Sequence, residues 1–277
     1  MQMKTNRSGT SRLETAQVTR DFMVAPLEMR MQMHMFGAMW APHKRVTLMT
    51  MIPYKRIAMD HINRMGRTFT TWSNGLGDVS LTPLITVWSS GNHRLQFNPG
   101  ISAPTGSIDK RGGTLMGPDQ KLPYPMQLGS GTPDIRAALS YSGASEWWHW
   151  GAQPGATVRL GRNKHDYRLG NRFKGTAWLG RKLDEVLGAS LRATWEEWGD
   201  IKGHDSELTR TMVPTAEAGL RAGERLDMSI GVSLEGTEKI LKDHRFAFEA
   251  GFPVYQYLDG PQLETDWTLT IGYQYPF

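Results

Sequence analysis

Apolar and polar residues alternate one by one along most of this chain, the spacing of strands whose successive side chains point to opposite faces. The last segment shows it best. Leu263, Trp267, Leu269, Ile271, Tyr273, Tyr275 and Phe277 share one parity, and Glu264, Asp266, Thr268, Thr270, Gly272 and Gln274 share the other. Upstream, Leu226, Met228, Ile230 and Val232 oppose Arg225, Asp227 and Ser229, and Phe246, Phe248 and Phe252 oppose Arg245, Glu249 and Gly251. The spacing predicts strands over 28–41, 45–57, 72–88, 92–103, 131–142, 146–160, 171–181, 186–199, 222–235, 243–256 and 263–277, with residues 1–4 as the tail of one more. Each run has about the 9–11 residues that a tilted strand needs to cross a bilayer.

The predicted connections alternate in length. Short turns fall at 42–44, 89–91, 143–145, 182–185 and 236–242, and long connections at 5–27, 58–71, 104–130, 161–170 and 200–221; only 257–262 breaks the rule. Long loops on one side and short turns on the other are the layout of outer-membrane barrels. The expectation is an all-β, up-and-down antiparallel transmembrane barrel of about twelve strands, its first strand truncated, forming one domain over 1–277. The loops near 5–27, 58–71, 104–130 and 200–221 would be extracellular. Pro83, Pro99, Pro154 and Pro253 fall inside predicted strands and should each mark a bulge or weak pairing, because proline has no N–H to give. A soluble antiparallel sandwich also alternates, but charge recurs here on strand after strand opposite a face rich in Trp, Tyr, Phe and Leu.

Composition changes this picture little. The mean hydropathy of −0.45 is that of an ordinary soluble protein, which suits strands apolar on one face only. The 32 Lys and Arg are dispersed among 27 Asp and Glu without a basic block, so no nucleic-acid partner is expected. There is no cysteine, as suits an exported chain. Residues 1–10 lack the apolar core of a signal peptide, so the expected address, a bacterial outer membrane, requires an export signal outside this sequence.

Several segments carry a resemblance: Gly75-Leu76-Gly77-Asp78, Pro104-Thr105-Gly106-Ser107-Ile108-Asp109, Leu122 to Gly131, Met212-Val213-Pro214-Thr215-Ala216, Pro253 to Gln256 and Leu258 to Trp267. Over about residues 20–277 the chain resembles the meta-pathway phenol-degradation barrels, described as outer-membrane transporters. The resemblance implies a barrel, an outer-membrane address and passive passage of small, apolar or aromatic solutes. The closing strand ending on Tyr273, Tyr275 and Phe277 resembles the signature read by the barrel-assembly machinery, which with outer-membrane lipid and lipopolysaccharide makes the expected partners.

Parity nominates a lumen-facing set: Asp78, Arg94, Arg136, Arg159, Lys174, Arg192, Glu196, Arg225, Asp227, Arg245, Glu249, Glu264 and Asp266. Charges lining a pore set selectivity, but ion pairs can equally plug a narrow barrel, and both readings stay open. Twelve of the sixteen methionines lie in the first 65 residues. Met29, Met31, Met33 and Met35 alternate with polar residues, so they are expected to face lipid. A copper-handling barrel, with these thioethers and His34 as Cu(I) ligands, is the alternative. The 104–130 connection is expected to narrow the pore. No Gly-x-Ser-x-Gly elbow or paired-histidine metal motif occurs, and His149 with Glu146, or His204 with Asp205, lacks a serine partner. A hydrolase therefore ranks third, and no cofactor is expected. Trp40, Trp72, Trp88, Trp147, Trp148, Trp195, Trp198, Trp267 and Tyr255 lie near predicted strand ends, where interfacial anchors belong.

Overall fold

The computed structural model describes residues 1–237 and 243–276. No described helix is long and apolar enough to cross a membrane; the architecture is strand-built. The wall strands, numbered in chain order, are β1 (Gln2–Gly9), β2 (Val24–His43), β3 (Val46–Asn63), β4 in two segments (Thr68–Leu76 and Val79–Ser90), β5 (His93–Ala103), β6 (Asp134–Ala144), β7 (Trp148–Arg159), β8 (Arg172–Lys182), β9 (Leu187–Trp198) and β10 (Gly223–Glu235). The final run Arg245–Gln274 doubles back on itself. The Phe246 and Tyr273 rings lie 5.0 Å apart, Thr268 donates to the Gly251 carbonyl, and the Gln256 side chain bonds both N and O of Thr265. It therefore supplies two wall strands, β11 (245–258) and β12 (263–274), which turn near Gly260, whose φ of +95° only glycine adopts freely.

Neighbouring wall strands pair antiparallel in sequence order, and β12 pairs with β1 to close the ring. That gives the twelve crossings expected from the alternation. Met1 lies beside Met31, in the middle of β2, and β1 pairs with the loop-end half of that strand. Lys44–Arg45 and Gly91–Asn92 are tight short turns. The turn expected at 236–242 falls largely outside the described residues, as does Phe277.

Two connections differ from expectation: the loop placed at 5–27 begins as strand, since β1 runs to Gly9, and the one at 58–71 differs most. The long loop placed at 58–71 is instead strand: β3 runs to Asn63, and β4 begins at Thr68. Asn63 Oδ1 accepts from the backbone N–H of Met65 and Arg67, and Gly66 has a φ of +76°, so a tight turn suffices. These strands rise past the membrane band because loops packed inside them bury their inner face.

The prolines behave as their chemistry dictates. Pro253 lies beside a register shift opposite Leu226 and Asp227. Between β4 and β5 the pairing stops at Leu81–Ile101 and resumes at Ile85–Phe97, which leaves Pro83 and Pro99 opposite each other in the gap. Each still pairs on its other edge, with Leu48 and Ala137.

Side chains paired across strands share a face. Phe36, Ile52, Leu81, Ile101, Ile135, Leu191, Ile230 and Leu269 are exposed on the outside. Trp40, Trp88 and Trp148 border this apolar band near the short turns, and Trp72, Trp195, Tyr255 and Trp267 border it toward the loops, as anchors do. Trp198 is the exception, for its indole N–H is spent on the Arg221 carbonyl of a loop. Beyond Tyr54 the outside of β2 and β3 turns polar, with Arg56, Arg30 and Asp60, so the band ends there.

Candidate functional site

The lumen is built from two unlike walls. On β2 and β3, Met29 pairs with Met59, Met31 with Ile57, Met33 with Lys55 and Met39 with Met49. Met29, Ile57 and Met59 pack against loop residues inside the ring, which fixes this face as inward. The methionine stripe thus lines the lumen, contrary to the expectation that it faces lipid. Its polar alternates Glu28, Arg30, Gln32 and His34 point outward because they stand at or above the edge of the apolar band, where outward polar groups meet water. His34 pairs with Tyr54 on the outer face, so it cannot join the methionines around one copper ion.

The opposite wall, from β6 to β11, is charged. Lys174, Arg192, Glu196, Arg225, Asp227 and Glu249 border a lumen cavity of about 400 Å³ with Thr176, Thr194 and Ser229. Arg192 Nε donates to Glu249 at 2.8 Å, Arg225 Nε to Asp227 at 2.9 Å, and Glu196 sits between Arg172 at 3.2 Å and Arg225 at 3.7 Å. Arg159 pairs with buried Asp134, beside Arg136 on the neighbouring rung. Arg94, opposite Ser142, and Arg245, 3.7 Å from Glu235, lie near the short-turn end.

Two members of the expected lumen set are misplaced. A register shift in β12 pairs Trp267 with Gln2 but Thr265 with Met3, so inward and outward parities exchange between these residues. Glu264 pairs with Lys4, on the outer face shared with Glu28 and Arg30, and is held by Arg7 and Arg12 at 2.6 and 2.8 Å. Asp266 adjoins the same charges. Neither lines the lumen.

Asp78 serves the lumen indirectly. It sits in the break of β4, and its carboxylate accepts from the N–H groups of Gly106 and Ser130 and from the Ser130 hydroxyl, at 2.7 to 2.9 Å. These bonds fold the 104–133 connection inward. A Cβ on Gly129 would collide with the Gly106 carbonyl, so only glycine permits this approach. From that anchor Leu122, Met126 and Leu128 reach the methionine wall and pack, fully buried, on Met29, Ile57 and Met59, while Lys55 Nζ donates to the Leu128 carbonyl. On its other flank Tyr124 meets Tyr167 ring edge to face at 5.0 Å, and its hydroxyl accepts from the Asp205 N–H at 3.0 Å. Burial pushes the hydroxyls of Tyr124 and Tyr167 above the usual phenol range. The connection spans the lumen mouth as a plug.

A charged clasp fixes its hairpin, Arg111–Thr114 with Gly117–Lys121, to the loops at 160–171 and 199–222. Buried Lys121 places Nζ 3.3 Å from Asp205, 3.6 Å from Glu207 and 3.1 Å from His165 Nε2. Asp109 accepts from Lys164 at 2.5 Å and from His165 at 2.6 Å, and these bonds hold its carboxyl well below the usual carboxylate range. His165, Asp205 and Glu207 have donor atoms within 4.8 Å of one another, a spacing that could suit a metal, but the Lys121 ammonium already supplies the cation between them. Asp205, considered beside His204 for hydrolysis, is thereby committed to an ion pair. Sequence reasoning missed this clasp because its members lie in three loops whose mutual approach has no periodic signal.

A family model described as "Putative MetA-pathway of phenol degradation" matches residues 46–239, more than half of the sequence. The chain belongs to this family. Its architecture is also that of the COG4313 outer membrane channel from Pseudomonas putida F1, with a TM-score of 0.65 and 14% identity over 98% of this chain and 90% of that one. No curated protein matches the sequence. In this phenol-degradation family member, the segments that carried the resemblance converge at the loop end. Asp78 anchors the plug, Gly106 and Leu122 to Gly131 form it, and Val213 and Ala216 line one cavity with its Leu122 and Pro123.

Proposed function

We propose that this family member is an outer-membrane conduit through which small, largely apolar solutes pass, with its long loops facing outward. The observation that carries the reading is the two-walled lumen, a methionine stripe facing a charged stripe beneath an apolar plug. Thioether side chains are adaptable and polarizable, so they offer an apolar solute a soft track without a fixed shape. The paired charges opposite keep the remaining cross-section wet and bias which ions accompany it. The plug narrows the mouth, and its clasp of ion pairs, partly exposed, holds it less firmly than a covalent tie. No reaction forms part of this reading.

The test is to insert the protein into planar bilayers and to measure, in liposomes, entry of a neutral apolar solute. Discrete conductance steps with solute entry above that of protein-free liposomes support the conduit. Silence from demonstrably folded, inserted protein sinks it. Silence would favour the second reading, a permanently plugged barrel, for which the complete burial of Leu122, Met126 and Leu128 speaks.

A further inference from the structure

We propose that the lumen beneath the plug binds an amphiphilic monocarboxylate, one ionised carboxylate on a flexible apolar chain, with its head among Lys55, Arg136 and Lys174 and its chain along the methionine wall. As the solute class of the conduit this ligand rests on the conduit reading; as the occupant of a binding site it does not.

The head is called for by cations whose neighbouring carboxylates are already engaged. Lys55, opposite Met33 on the inner face, has Arg159 and Arg172 of the far wall near enough to act on its charge, and the same two guanidinium groups act on Arg136. Like charges that meet in a lumen draw an anion between them, the more strongly where little water separates the groups. Asp78 accepts from Gly106 and Ser130, Asp134 accepts from Ser130, Thr132 and Arg159, and Glu196 lies between Arg172 and Arg225. Lys174 faces Glu196 across one rung and adjoins Asp227, which Arg225 also holds. Lys55, Arg136 and Lys174 are therefore left without an ion-pair partner among the described residues. Arg136 and Lys174 stand on inward rungs and are exposed there. Ala138 and Gly155 continue the Lys174 rung toward β6, so the wall below Arg136 carries no bulk. Lys174 also borders the lumen cavity of about 400 Å³, which gives the site an outlet toward the short turns.

The chain is called for by the opposite wall. From Lys55 toward the short turns, the inner face of β2 and β3 carries Met33, Met35, Met51, Met39 and Met49 in succession. At about 3.4 Å per residue along a strand, the run from Met33 to Met39 extends roughly 20 Å. Met33, Met35 and Met39 are exposed although apolar. Thioethers adapt to a chain without a fixed shape, and a cation stands at the head of the run. A linear amphiphile meets both demands. A small inorganic anion leaves the methionines wet, and a neutral chain leaves the cations unpaired.

The experiment is a ¹³C NMR titration of the full chain, folded in nanodiscs, with octanoate labelled at its carboxyl carbon, followed by competition with acetate and with 1-octanol. Acetate has the head without the chain, and 1-octanol has the chain without the charge. Three variants accompany the wild type: Arg136→Gln with Lys174→Gln, Met33→Gln with Met35→Gln, and Arg30→Gln with Arg56→Gln, which removes the same charge from the outer face. Heat-modifiable gel migration verifies that each barrel is folded. The expected result is saturable binding of octanoate that acetate and 1-octanol displace only weakly. Loss of charge-assisted bonds should weaken octanoate by about tenfold or more in the Arg136 and Lys174 variant. The methionine variant should also bind it more weakly, and the outer-face variant should match the wild type. Displacement by acetate or 1-octanol as effective as by unlabelled octanoate, unchanged affinity in either inward variant, equal weakening in the outer-face variant, or no binding beyond that of empty nanodiscs would overturn the proposal. Bilayer recordings on the same preparation separate the two readings. Conductance without octanoate binding fails the site alone, whereas binding without conductance or solute entry fails the conduit alone.

Discussion

Single side chains decide where the plug sits and how firmly. Asp78 satisfies two backbone N–H groups and a hydroxyl at the root of the plug. Asp78→Ala removes about three charge-assisted bonds, each worth on the order of 1.5–3 kcal/mol, so larger and noisier conductance steps are expected in planar bilayers; steps identical to wild type would deny it this role. Asp109 gives the clasp its pH dependence. Its carboxyl titrates below the ordinary 3.8 because Lys164 and His165 bond the charged form. A depressed acid contributes stability that is present above its unfolded value and lost as pH falls through the folded one. Tryptic cleavage near Lys110 and Arg111, measured after brief exposure to graded pH, should therefore stay slow down to about pH 4, near the unperturbed value, and accelerate only below it. Asp109→Asn should be cleaved quickly at neutral pH. The charged wall was legible as residues because Arg192, Glu196, Arg225 and Glu249 hold one parity through unbroken strands. Glu264 and Asp266 were not, since a register shift exchanges the two faces without changing a single letter of the pattern.

At the scale of elements, the strands were read closely from alternation, and the inward plug could be read only in part. Proline-rich Leu122-Pro123-Tyr124-Pro125 announced an ordered segment, but its direction depends on a carboxylate in another strand. The methionine stripe shows the same limit. The rule that polar faces look inward holds only inside lipid, and the upper part of β2 stands above it, where Arg30 and Glu28 meet water outside. Replacing 108–121 with a short flexible linker removes the hairpin and its clasp while leaving the wall ladders intact. Single-channel conductance should rise severalfold, and an unchanged conductance would mean that the constriction lies elsewhere.

For the whole molecule, the two walls should be separable by substitution. Met31, Met33 and Met35 changed together to Gln should slow apolar solute entry into liposomes while altering ionic conductance little. Arg192→Gln, which strips Glu249 of its partner, should shift reversal potentials toward cations while leaving solute entry unchanged. If both substitutions alter both readouts alike, the walls do not divide the work. Closing such a ring also poses a problem of alignment, because neighbouring strands that alternate alike can slide by two residues and still match face to face. Pro83 and Pro99 confront each other where neither has an N–H to give. A slide by two would set each proline against a residue that expects a donor, so two broken rungs would replace one shared gap. The paired prolines thus act as a keyway, telling the assembling sheet when the fourth and fifth strands have stopped in the right place.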